Sequence, residues 1–511
     1  MNRSNPDVHD WAITIGSDFL QLTPDDAPPG GLSDWLAGRL RFAISDGRLP
    51  VGSRLPATRV LAGELRVSRG VVTEAYQRLV EEGHVAGRGR AGTIVVAAPA
   101  APAPPGPAGP PPQSAVFGAA PGPDVFDAFR AAPCRIDLSP GVPDLGAFPR
   151  AAWLRAERAV LSELSAADLG YGNPAGAPAL RAAVADWLAR FRGISADPGD
   201  VVIVSGVAQA LALLAQVLRQ DGITEVAVED PGSLGARQHL RYWQLDTPPI
   251  PVDAEGVRVD ELRARGARAV LLTPAHQFPT GVVLGGERRR ELVEWARGGG
   301  LVIEDDYDAE HRYDRAPVPA LRSVLPDRVC YTGSVSKLLA PALRVGWVLV
   351  PPAYREALVA AKRNADLGNP VLAQLVLARL MGSGELERQL RLVRRRHRRR
   401  RDAMIEAIEE HLPGAVVHGA AAGLHLMVTF DADFSDVDLA AAALARGVKA
   451  QPLSWHGQRP QRPGLVLGYG ATARTDIADG VAILGGVLRD VDRRKFGARL
   501  TTERPLAVSS E

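Results

Sequence analysis

Two kinds of hydrophobic periodicity divide the chain into an N-terminal and a C-terminal region. Between residues 31 and 96, apolar residues recur at intervals of three and four, as in amphipathic helices, and the pattern ends in short strand-like runs. From residue 136 to residue 495, apolar runs such as VVIVS (201–205) and LVIED (301–305) alternate with helical patterns. That alternation predicts a second, larger α/β domain with a mostly parallel sheet.

The segment between these regions lacks the residues that would build a core. Residues 97–135 begin with the run AAPAAPAPPGPAGPPPQ, and such a composition favours a semi-extended linker. The chain of 511 residues is also longer than one ordinary domain. We therefore predict a multidomain protein with a small α+β domain at 31–96, a Pro/Ala-rich linker at 97–135 and an α/β domain at 136–495.

Within residues 31–96 the pattern predicts three helices followed by a hairpin. Ser33 is placed to cap the first helix, the second covers about Ala57–Leu65, and Ser68 is placed to cap the third. The predicted inner face of the third helix consists of Val72, Ala75, Leu79 and Val80. Glycines in the run HVAGRGRAGTIVV permit a tight hairpin. This order of elements is typical of a winged helix-turn-helix, whose third helix enters a DNA major groove.

Positive charge is concentrated in this small domain. The whole chain has a formal charge of only +2, so any nucleic-acid surface must be local. Residues 31–96 contain 10 arginines against 6 acidic residues. Five of these arginines lie at helix starts or in the hairpin, where such a fold meets phosphates: Arg54, Arg59, Arg69, Arg88 and Arg90. The alternative is an ordinary helical domain with solvated arginines.

The run R-L-P-A-T-R-x-L-A-x-x-L-x-V-S-R-G-x-V-x-x-A-Y-x-x-L-x-x-E-G (54–83) resembles the GntR-type DNA-binding domain. The resemblance implies that Arg59, Ser68 and Arg69 contact DNA and that Thr73 occupies a base-reading position. Val71 departs from the pattern, since many relatives have threonine there.

Lysine is rare in this chain, so each lysine is a candidate for chemistry that arginine cannot perform. Only four of the 60 basic residues are lysines: Lys337, Lys362, Lys449 and Lys495. Lys337 lies in the run Y-T-G-S-V-S-K-L-L-A-P-A-L-R-V-G (331–346). Its amine suits a Schiff base, and Ser334, Ser336 and Arg344 suit a phosphate.

Two further motifs would complete such a site. The run I-E-D-D-Y-D (303–308) ends a strand with a carboxylate that can pair with a pyridine nitrogen. The run V-S-G-V-A-Q-A-L (204–211) combines a strand, a glycine turn and a helix start, where free N–H groups favour a phosphate. Each motif alone is also compatible with an ordinary polar cluster or turn, so the interpretation depends on their order and spacing.

Six motifs follow one another in an order that resembles the fold-type I, aspartate-aminotransferase-like enzymes. They are Y-G-N-P-A-G (171–176), S-G-V-A-Q (205–209), E-D-P-G (229–232), H-Q-F-P-T-G (276–281), E-D-D-Y (304–307) and S-x-S-K…R (334–344). The resemblance implies a large and a small subdomain that bind pyridoxal 5′-phosphate (PLP).

The same resemblance implies a role for each matching residue. Lys337 would form the Schiff base, Asp305 would face the pyridine nitrogen, and Tyr307 would face the ring hydroxyl. The phosphate would be held by Ser334, Ser336, Arg344 and the backbone of Val207 and Ala208. Tyr171 would reach the phosphate of the other subunit in a homodimer, and Gln277 would lie near the ring hydroxyl.

Two positions depart from the aminotransferase pattern. Ser233 stands where many relatives place an aromatic residue that stacks on the cofactor ring. Leu465 stands roughly where aminotransferases carry the arginine that binds the substrate carboxylate, with Arg462 as the alternative ligand. The chain therefore lacks the arginine that usually binds the carboxylate of an α-amino acid, which argues against recognition of an ordinary amino acid.

A GntR-type winged helix, a Pro-rich linker and an aminotransferase-like domain, in that order, resemble the MocR family of bacterial regulators. The resemblance implies a cytoplasmic, head-to-tail homodimer that binds double-stranded operator DNA, with its own promoter region as the expected target. It also implies a response to PLP or to an amino compound that forms an external aldimine with PLP. We favour PLP, and hence control of vitamin B6 synthesis; a GABA-, taurine- or D-alanine-like amine is the alternative.

Two other functions stay open. One is a PLP-dependent aminotransferase with a vestigial DNA-binding head. The missing stacking aromatic residue and the missing carboxylate-binding arginine argue against it, and they predict no net turnover beyond a residual half-reaction. The other is a regulator whose C-terminal domain only dimerises, against which the complete set of Lys337, Asp305, Tyr307 and Ser336 argues.

The remaining signals concern location and surface. The two cysteines, Cys134 and Cys330, argue against a disulfide framework or a zinc cluster and fit a reducing cytoplasm. No run of about 18 apolar residues predicts a membrane span.

The arginine-rich run at 388–401 is either a second DNA-contacting surface or, as we expect, a solvated helix face or subunit edge. Its apolar stripe is predicted to consist of Leu390, Leu392 and Met404.

Overall fold

The computed structural model describes residues 22–89, 92–97, 114–117, 121–313 and 318–502, which fall into two units that divide at Gly109. The helices are α1 (Leu32–Ser45), α2 (Thr58–Glu64), α3 (Arg69–Glu81), α4 (Ser114–Phe117), α5 (Val125–Ala131), α6 (Arg150–Glu163), α7 (Pro178–Arg192), α8 (Val207–Gln220), α9 (Leu234–Tyr242), α10 (Val259–Arg265), α11 (Gly286–Arg297), α12 (Pro352–Asp366), α13 (Val371–Gly382), α14 (Glu385–His411), α15 (Asp436–Ala445) and α16 (Arg474–Thr502).

The strands are short and fall into four sheets. They are β1 (Val85–Gly87), β2 (Thr93–Val95), β3 (Ile136–Asp137), β4 (Val202–Val204), β5 (Ala227–Asp230), β6 (Pro249–Asp253), β7 (Gly256–Val257), β8 (Ala269–Leu272), β9 (Leu301–Asp306), β10 (Val329–Ser334), β11 (Gly346–Leu349), β12 (Ala415–His418), β13 (His425–Phe430), β14 (Val448–Lys449), β15 (Gln451–Pro452) and β16 (Gly464–Gly468).

The first unit is a three-helix domain with a β1–β2 hairpin, as predicted. Ser68 caps α3 through a hydrogen bond from the Val71 N–H, which confirms the predicted helix start. The predicted cap of α1 is wrong, because Gly31 is the N-cap residue and Ser33 lies within the helix. The helices enclose a core to which each contributes, including Leu40, Leu61 and Leu79.

The inner face of α3 differs from the prediction at its end. Val72, Ala75 and Leu79 are buried, but Val80 is half exposed. Tyr76 is buried in its place, and its hydroxyl donates a hydrogen bond to the Pro56 carbonyl at 2.9 Å. Positions 72, 75, 76 and 79 share one face of a helix with 3.6 residues per turn, whereas position 80 is rotated away from it.

The second unit contains a large subdomain built on an eight-stranded sheet. Its strand order is β4-β11-β10-β9-β8-β5-β6-β7. The pairs β10–β9, β9–β8, β8–β5 and β5–β6 are parallel, while β11 and β7 run antiparallel to their neighbours. Apolar side chains fill both faces of this sheet, which explains why its strands are continuous apolar runs. The predicted α/β fold with a mostly parallel sheet is confirmed.

The small subdomain packs helices on a four-stranded antiparallel sheet with the order β12-β13-β16-β15. A separate parallel pair joins β3 to β14. Its core includes residues of α14, α15, α16, β13 and β16. In the part of the chain that is described, no helix is both long and apolar enough to cross a bilayer.

The predicted linker at 97–135 is too long at its C-terminal end. Helix α5 packs on the small subdomain, with Val125 and Phe129 buried beside Trp455. The Phe129 and Trp455 rings meet edge to face with centroids 5.5 Å apart. The phenylalanines that follow the Pro/Ala run supply enough apolar surface for this contact, so the α/β unit includes residues before 136.

Candidate functional site

The three predicted cofactor motifs meet at one edge of the large sheet. Ser334, at the end of β10, pairs with Gly346 of β11, and Gly346 pairs in turn with Val204 at the end of β4. On the other side of β10, Thr332 pairs with Asp305 of β9. The carboxyl ends of parallel strands form the usual ligand-binding edge of an open α/β sheet.

An anion cradle forms where β4 turns into α8. Gly206 adopts a left-handed φ of 80°, and Val207 and Ala208 are the first two residues of the helix. Their N–H groups have no carbonyl one turn earlier in the helix, and the positive end of the helix dipole is here. The Arg344 guanidinium lies over Gly206 and donates to the Ser205 carbonyl. This combination favours a phosphate.

Gly346 allows the two halves of the cradle to approach each other. A Cβ atom at this position would lie 3.0 Å from the Gly206 Cα and 3.1 Å from the Ser334 Cβ. The absence of a side chain therefore brings the β10 end and the α8 start together. The Ser334 hydroxyl accepts a hydrogen bond from the Ser336 N–H at 3.4 Å, which orders the loop towards Lys337.

A second layer of polar residues fixes the glycine turn. The Asn369 amide donates to the Ser205 hydroxyl at 2.7 Å, and the Gln209 carbonyl oxygen accepts from the Ser205 N–H at 2.7 Å. The Gln209 amide in turn donates to Asp366, which also binds Lys362. The buried Asn369 Oδ1 has no protein partner among the described residues. Such an orphaned acceptor is a polar group that a bound ligand can satisfy.

Lys337 follows β10, and its ammonium donates to the Gly141 carbonyl. Gly141 has a φ of 81°, and a Cβ there would lie 3.1 Å from the Lys337 Nζ. Burial lowers the pKa of Lys337, and the charges of Asp308 and Asp305 oppose that shift. A lysine with a lowered pKa has more of the neutral, nucleophilic amine.

Asp305 lies at the end of β9 and accepts a hydrogen bond from the Thr332 hydroxyl at 3.2 Å. Burial raises the pKa of Asp305 to about 7, and the nearby Asp306 and Asp308 charges act in the same direction. A carboxyl group of this kind can share a proton with a pyridine nitrogen.

The Tyr307 hydroxyl lies 3.0 Å from the His276 Nδ1. The same nitrogen lies 3.0 Å from an Asp308 carboxylate oxygen. Burial and the surrounding carboxylates raise the pKa of Tyr307 well above its ordinary value, so its proton stays on the phenol. Sequence reasoning did not assign His276 or Asp308, although both belong to motifs that it quoted.

The His276 and Asp308 pair belongs to a buried group that also contains His425. One potential ligand atom from each of the three side chains lies within 4.8 Å of the others, which satisfies the distances of a metal site. Within the protein, however, His276 is bonded to Asp308, and the His425 Nε2 lies 3.2 Å from the Pro279 carbonyl. Of this group, His276 contacts the Tyr307 hydroxyl directly, and Asp308 holds His276.

Gln277 is buried, and its amide is bonded within the protein. Its nitrogen donates to the carbonyls of Pro231 and Phe278, at 2.9 and 2.7 Å. Its oxygen accepts from the N–H and hydroxyl of Thr280, at 3.0 and 2.6 Å. The side chain therefore ties together two loops at the sheet edge. Its predicted contact with the ring hydroxyl remains a prediction.

Ser233 and Leu465, the two departures from the aminotransferase pattern, both contribute to the fold. The Ser233 hydroxyl caps α9 by accepting from the Ala236 N–H at 3.2 Å. Leu465 points into the core of the small subdomain. Arg462 is exposed and lies 3.9 Å from Asp431, so it does not replace the absent arginine within the site.

The residue of β16 that faces the site is Val466 rather than Leu465. Val466 packs with Met427, Leu453 and Phe278, and the Phe278 ring lies 6.1 Å from the Tyr307 ring. Neighbouring side chains point to opposite faces of a strand. If the position that corresponds to the arginine of aminotransferases is shifted by one residue, it therefore falls on this wall instead of in the core. All four side chains of this wall are apolar.

Tyr171 is 95 % exposed and lies in the irregular segment before α7. Within its own subunit, no hydrogen bond or ring contact to another described residue involves this side chain. Its predicted contact with the phosphate of a second subunit is therefore compatible with its exposure.

The predicted DNA-contacting residues form an exposed surface of the first unit wherever they are described. Arg90 lies outside the described residues. The others, all exposed, are Arg54, Arg59, Ser68, Arg69, Thr73 and Arg88. Arg69 and Thr73 begin α3, where the Thr73 hydroxyl donates to the Arg69 carbonyl at 2.9 Å. The Arg54 guanidinium lies beside Gly92 of the hairpin and links the start of α2 to the wing.

Comparison with known families matches both units. Residues 32–95 match the gntR family of bacterial regulatory proteins, and residues 135–460 match aminotransferase class I and II. The chain is 32% identical over 454 residues to the probable rhizopine catabolism regulatory protein MocR of Rhizobium meliloti, covering 87% of this chain and 91% of that protein. It is 30% identical to the pyridoxine biosynthesis transcriptional regulator PdxR of Corynebacterium glutamicum, covering 88% and 94%.

Solved structures match the second unit. The multiple substrate aminotransferase of Thermococcus profundus superimposes with a TM-score of 0.65 at 29% identity, over 70% of this chain and 92% of that one. The α-aminoadipate aminotransferase LysN of Thermus thermophilus, complexed with N-(5′-phosphopyridoxyl)-L-leucine, gives a TM-score of 0.66 at 27% identity, over 75% and 97%. These matches confirm the predicted aminotransferase fold.

Proposed function

Because this chain belongs to the MocR family of bacterial transcription regulators, which join a gntR-type helix-turn-helix domain to an aminotransferase class I and II domain, we propose that PLP controls its binding to DNA. Residues 31–96 bind the operator, and the α/β unit from 136 to 495, extended by α5, binds the effector. The observation that carries this proposal is the convergence of Lys337, Asp305 and the Arg344 cradle on one sheet edge.

The residues at this edge fit PLP. A dianionic phosphate matches the α8 start with Arg344, Ser334 and Ser336. When bound, PLP supplies an aldehyde that reacts with amines and a ring that withdraws electrons. Asp305 would hold a proton at the pyridine nitrogen, Tyr307 would hydrogen-bond the ring hydroxyl, and Lys337 would provide the amine that anchors the cofactor. His276 and Asp308 keep Tyr307 in position.

The apolar wall favours PLP itself as the signal. An α-amino acid needs a cation for its carboxylate, and the wall of Val466, Met427, Leu453 and Phe278 offers none. The relative PdxR is named as a regulator of pyridoxine biosynthesis, so genes of vitamin B6 synthesis are the first targets to examine. An amine without a carboxylate at this position is the alternative effector.

A homodimer completes the site in this proposal. Tyr171 is almost fully exposed in one subunit, and a large exposed aromatic side chain suits an interface. It would donate a hydrogen bond to the phosphate in the other subunit. PLP binding would then depend on subunit arrangement, which gives the cofactor a route to the DNA-binding domains.

The test is a DNA-binding titration of the full chain on the DNA upstream of its own gene, at one fixed salt concentration, with and without PLP. We expect PLP to change the affinity or the footprint. In Lys337→Ala, DNA affinity without PLP should stay within a few fold of that of the unmodified chain, while the PLP response is lost. Equal DNA binding with and without PLP in the unmodified chain would contradict PLP as the signal.

Lys337→Arg is the matched control because it keeps the charge but cannot form a Schiff base. We expect it to behave like Lys337→Ala and to lack the visible absorption band of bound PLP. A normal PLP response in Lys337→Arg would show that non-covalent binding is sufficient.

A further inference from the structure

Helix α14 carries two groups of arginines. One group is anchored to the protein: Arg388 pairs with Glu385, Arg394 donates to the Arg312 carbonyl, Arg396 and Arg400 bind Asp144, and Arg401 binds Asp402. The other group consists of Arg391, Arg395, Arg398 and Arg399, which we call the arginine ridge. All four ridge residues are exposed, and none has an ion pair or side-chain hydrogen bond to another described residue.

The ridge lies on one face of α14. At 100° per residue, its four positions fall within a sector of about 100°. The opposite face is buried through Leu390, Val393, His397 and Met404. Leu392, predicted as part of the apolar stripe, is exposed instead. The helix is thus fixed to the protein by one face, and between residues 391 and 399 its other face presents the ridge and Leu392.

Three acidic residues of α14 pair with arginines outside the ridge. Glu385 is shared by Arg155 and Arg388, Glu387 pairs with Arg190, and Asp402 pairs with Arg401. Within the ridge, arginines three and four residues apart repel each other, which destabilises the isolated helix. A helix that keeps such a stripe uncompensated is suited to a polyanion.

The spacing of the ridge matches duplex DNA. Residues 391 to 399 span about 12 Å along the helix axis at 1.5 Å per residue. One DNA strand presents a phosphate about every 3.4 Å of duplex axis, so about three or four phosphates fall within this length. Arginine is well suited to phosphate because its guanidinium donates two parallel hydrogen bonds.

We propose that the arginine ridge binds backbone phosphates of the operator, outside the stretch that the helix-turn-helix contacts. This inference depends on the proposed function, since the chain must first bind DNA through its N-terminal domain. The ridge adds affinity and footprint length without base specificity, because phosphates carry no sequence information. It makes the effector-binding unit a second DNA-contacting element.

The experiment compares two fragments of the upstream DNA. The short fragment is the smallest that the unmodified chain binds specifically, and the long one extends it by two helical turns on each side. Affinities are measured between 50 and 200 mM salt for the full chain and for the variant R391Q/R395Q/R398Q/R399Q. A matched control, R290Q/R297Q/R328Q/R363Q, removes four exposed arginines from other elements.

On the long fragment, the ridge variant should lose about 3 to 4 units from the slope of log affinity against log salt per chain, at about 0.9 unit per phosphate contact. On the short fragment it should bind like the unmodified chain. The control should match the unmodified chain on both. In hydroxyl-radical footprints on the long fragment, the unmodified chain and the control should protect the flanking DNA, and the ridge variant should not.

Equal slopes for the ridge variant and the unmodified chain on the long fragment would overturn the ridge proposal and leave the proposed function intact. A changed sedimentation coefficient with an unchanged DNA slope would make the ridge a subunit contact, and an acidic protein captured by the ridge without a DNA effect would equally overturn it. If the unmodified chain binds no part of the upstream DNA, the short fragment cannot be defined, and the proposed function itself fails.

Discussion

Burial, more than charge pairing, decides the chemistry of Asp305. It raises the pKa of this carboxyl to about 7, and the Thr332 hydrogen bond and the Lys337 charge only partly oppose the shift. An acid whose pKa is higher in the folded than in the unfolded protein stabilises the fold at low pH. That stabilisation is complete below a pH of about 4 and is lost as the pH rises through about 7.

We predict that Asp305→Asn flattens the pH dependence of stability in the protein without PLP. A shift of about three pKa units corresponds to at most about 4 kcal/mol, so the variant should melt at a higher temperature than the unmodified chain at pH 8. PLP affinity should fall at the same time, because asparagine cannot share a proton with the pyridine nitrogen.

The measurement is a series of thermal melts between pH 5 and pH 8, with a PLP titration at each pH. Asp246→Asn, at an exposed position, is the control and should change neither quantity. Identical pH profiles for Asp305→Asn and the unmodified chain would contradict the role of burial.

At the level of elements, two helix starts carry the proposed functions. Helix α8 begins after Gly206, whose φ of 80° and ψ of 177° suit glycine. Helix α3 begins with Ser68 as its cap and Arg69 as its first residue. In both, the first turn has free N–H groups that suit a phosphate, which in our proposal belongs to PLP in one case and to DNA in the other.

Gly206→Ala should weaken PLP binding by tenfold or more. Its backbone conformation costs a non-glycine residue about 1–3 kcal/mol, and its Cβ would lie 3.3 Å from the Arg344 guanidinium. Gly222→Ala is the control, since Gly222 has a φ of 71° but no neighbour within 4 Å of an added Cβ. Both variants should lose stability in melting experiments, but only Gly206→Ala should need more PLP to reach saturation.

Arg69→Ala should weaken DNA binding about tenfold at 100 mM salt and reduce the salt slope by about one unit, as expected for one lost phosphate contact. Glu81→Ala, at an exposed position in the last turn of α3, should not weaken binding. Affinity is measured on the upstream DNA, with circular dichroism to show that α3 is retained. An unchanged salt slope for Arg69→Ala would exclude a phosphate contact at this position.

At the level of the whole molecule, the proposed site depends on two subunits. Lys337 and the cradle come from one chain, while Tyr171 extends from its own chain into solvent. Tyr171→Phe should therefore lower PLP affinity several fold without changing the melting temperature of the subunit. Equilibrium dialysis against PLP measures the first quantity and calorimetry the second.

Mixed dimers provide the sharper test of this arrangement. A dimer of one Tyr171→Phe chain and one Lys337→Ala chain has one site with both residues intact if Tyr171 acts across the interface. Half of the sites should then bind PLP with the affinity of the unmodified protein. If no such sites appear, Tyr171 acts within its own subunit, and if Tyr171→Phe homodimers already bind PLP like the unmodified protein, it has no role in binding.

The sequence alone determined the class of each unit. Apolar runs buried on both faces predicted the parallel strands, and the turn and cap residues predicted α2, α3 and the hairpin, because these signals are local. Motif order, through its resemblance to the aminotransferases, then predicted that Lys337, Asp305 and Arg344 belong to one cofactor site. The assignment of individual site residues remains a prediction.

Only the tertiary structure decided what distant residues do together. It showed α5 packed beside Trp455, His276 and Asp308 beside Tyr307, and Val466 rather than Leu465 on the apolar wall. These contacts join residues far apart in sequence, and a shift of one residue in a strand reverses the face of a side chain. Local periodicity contains no information about such pairings, so the lining of the site had to come from the fold.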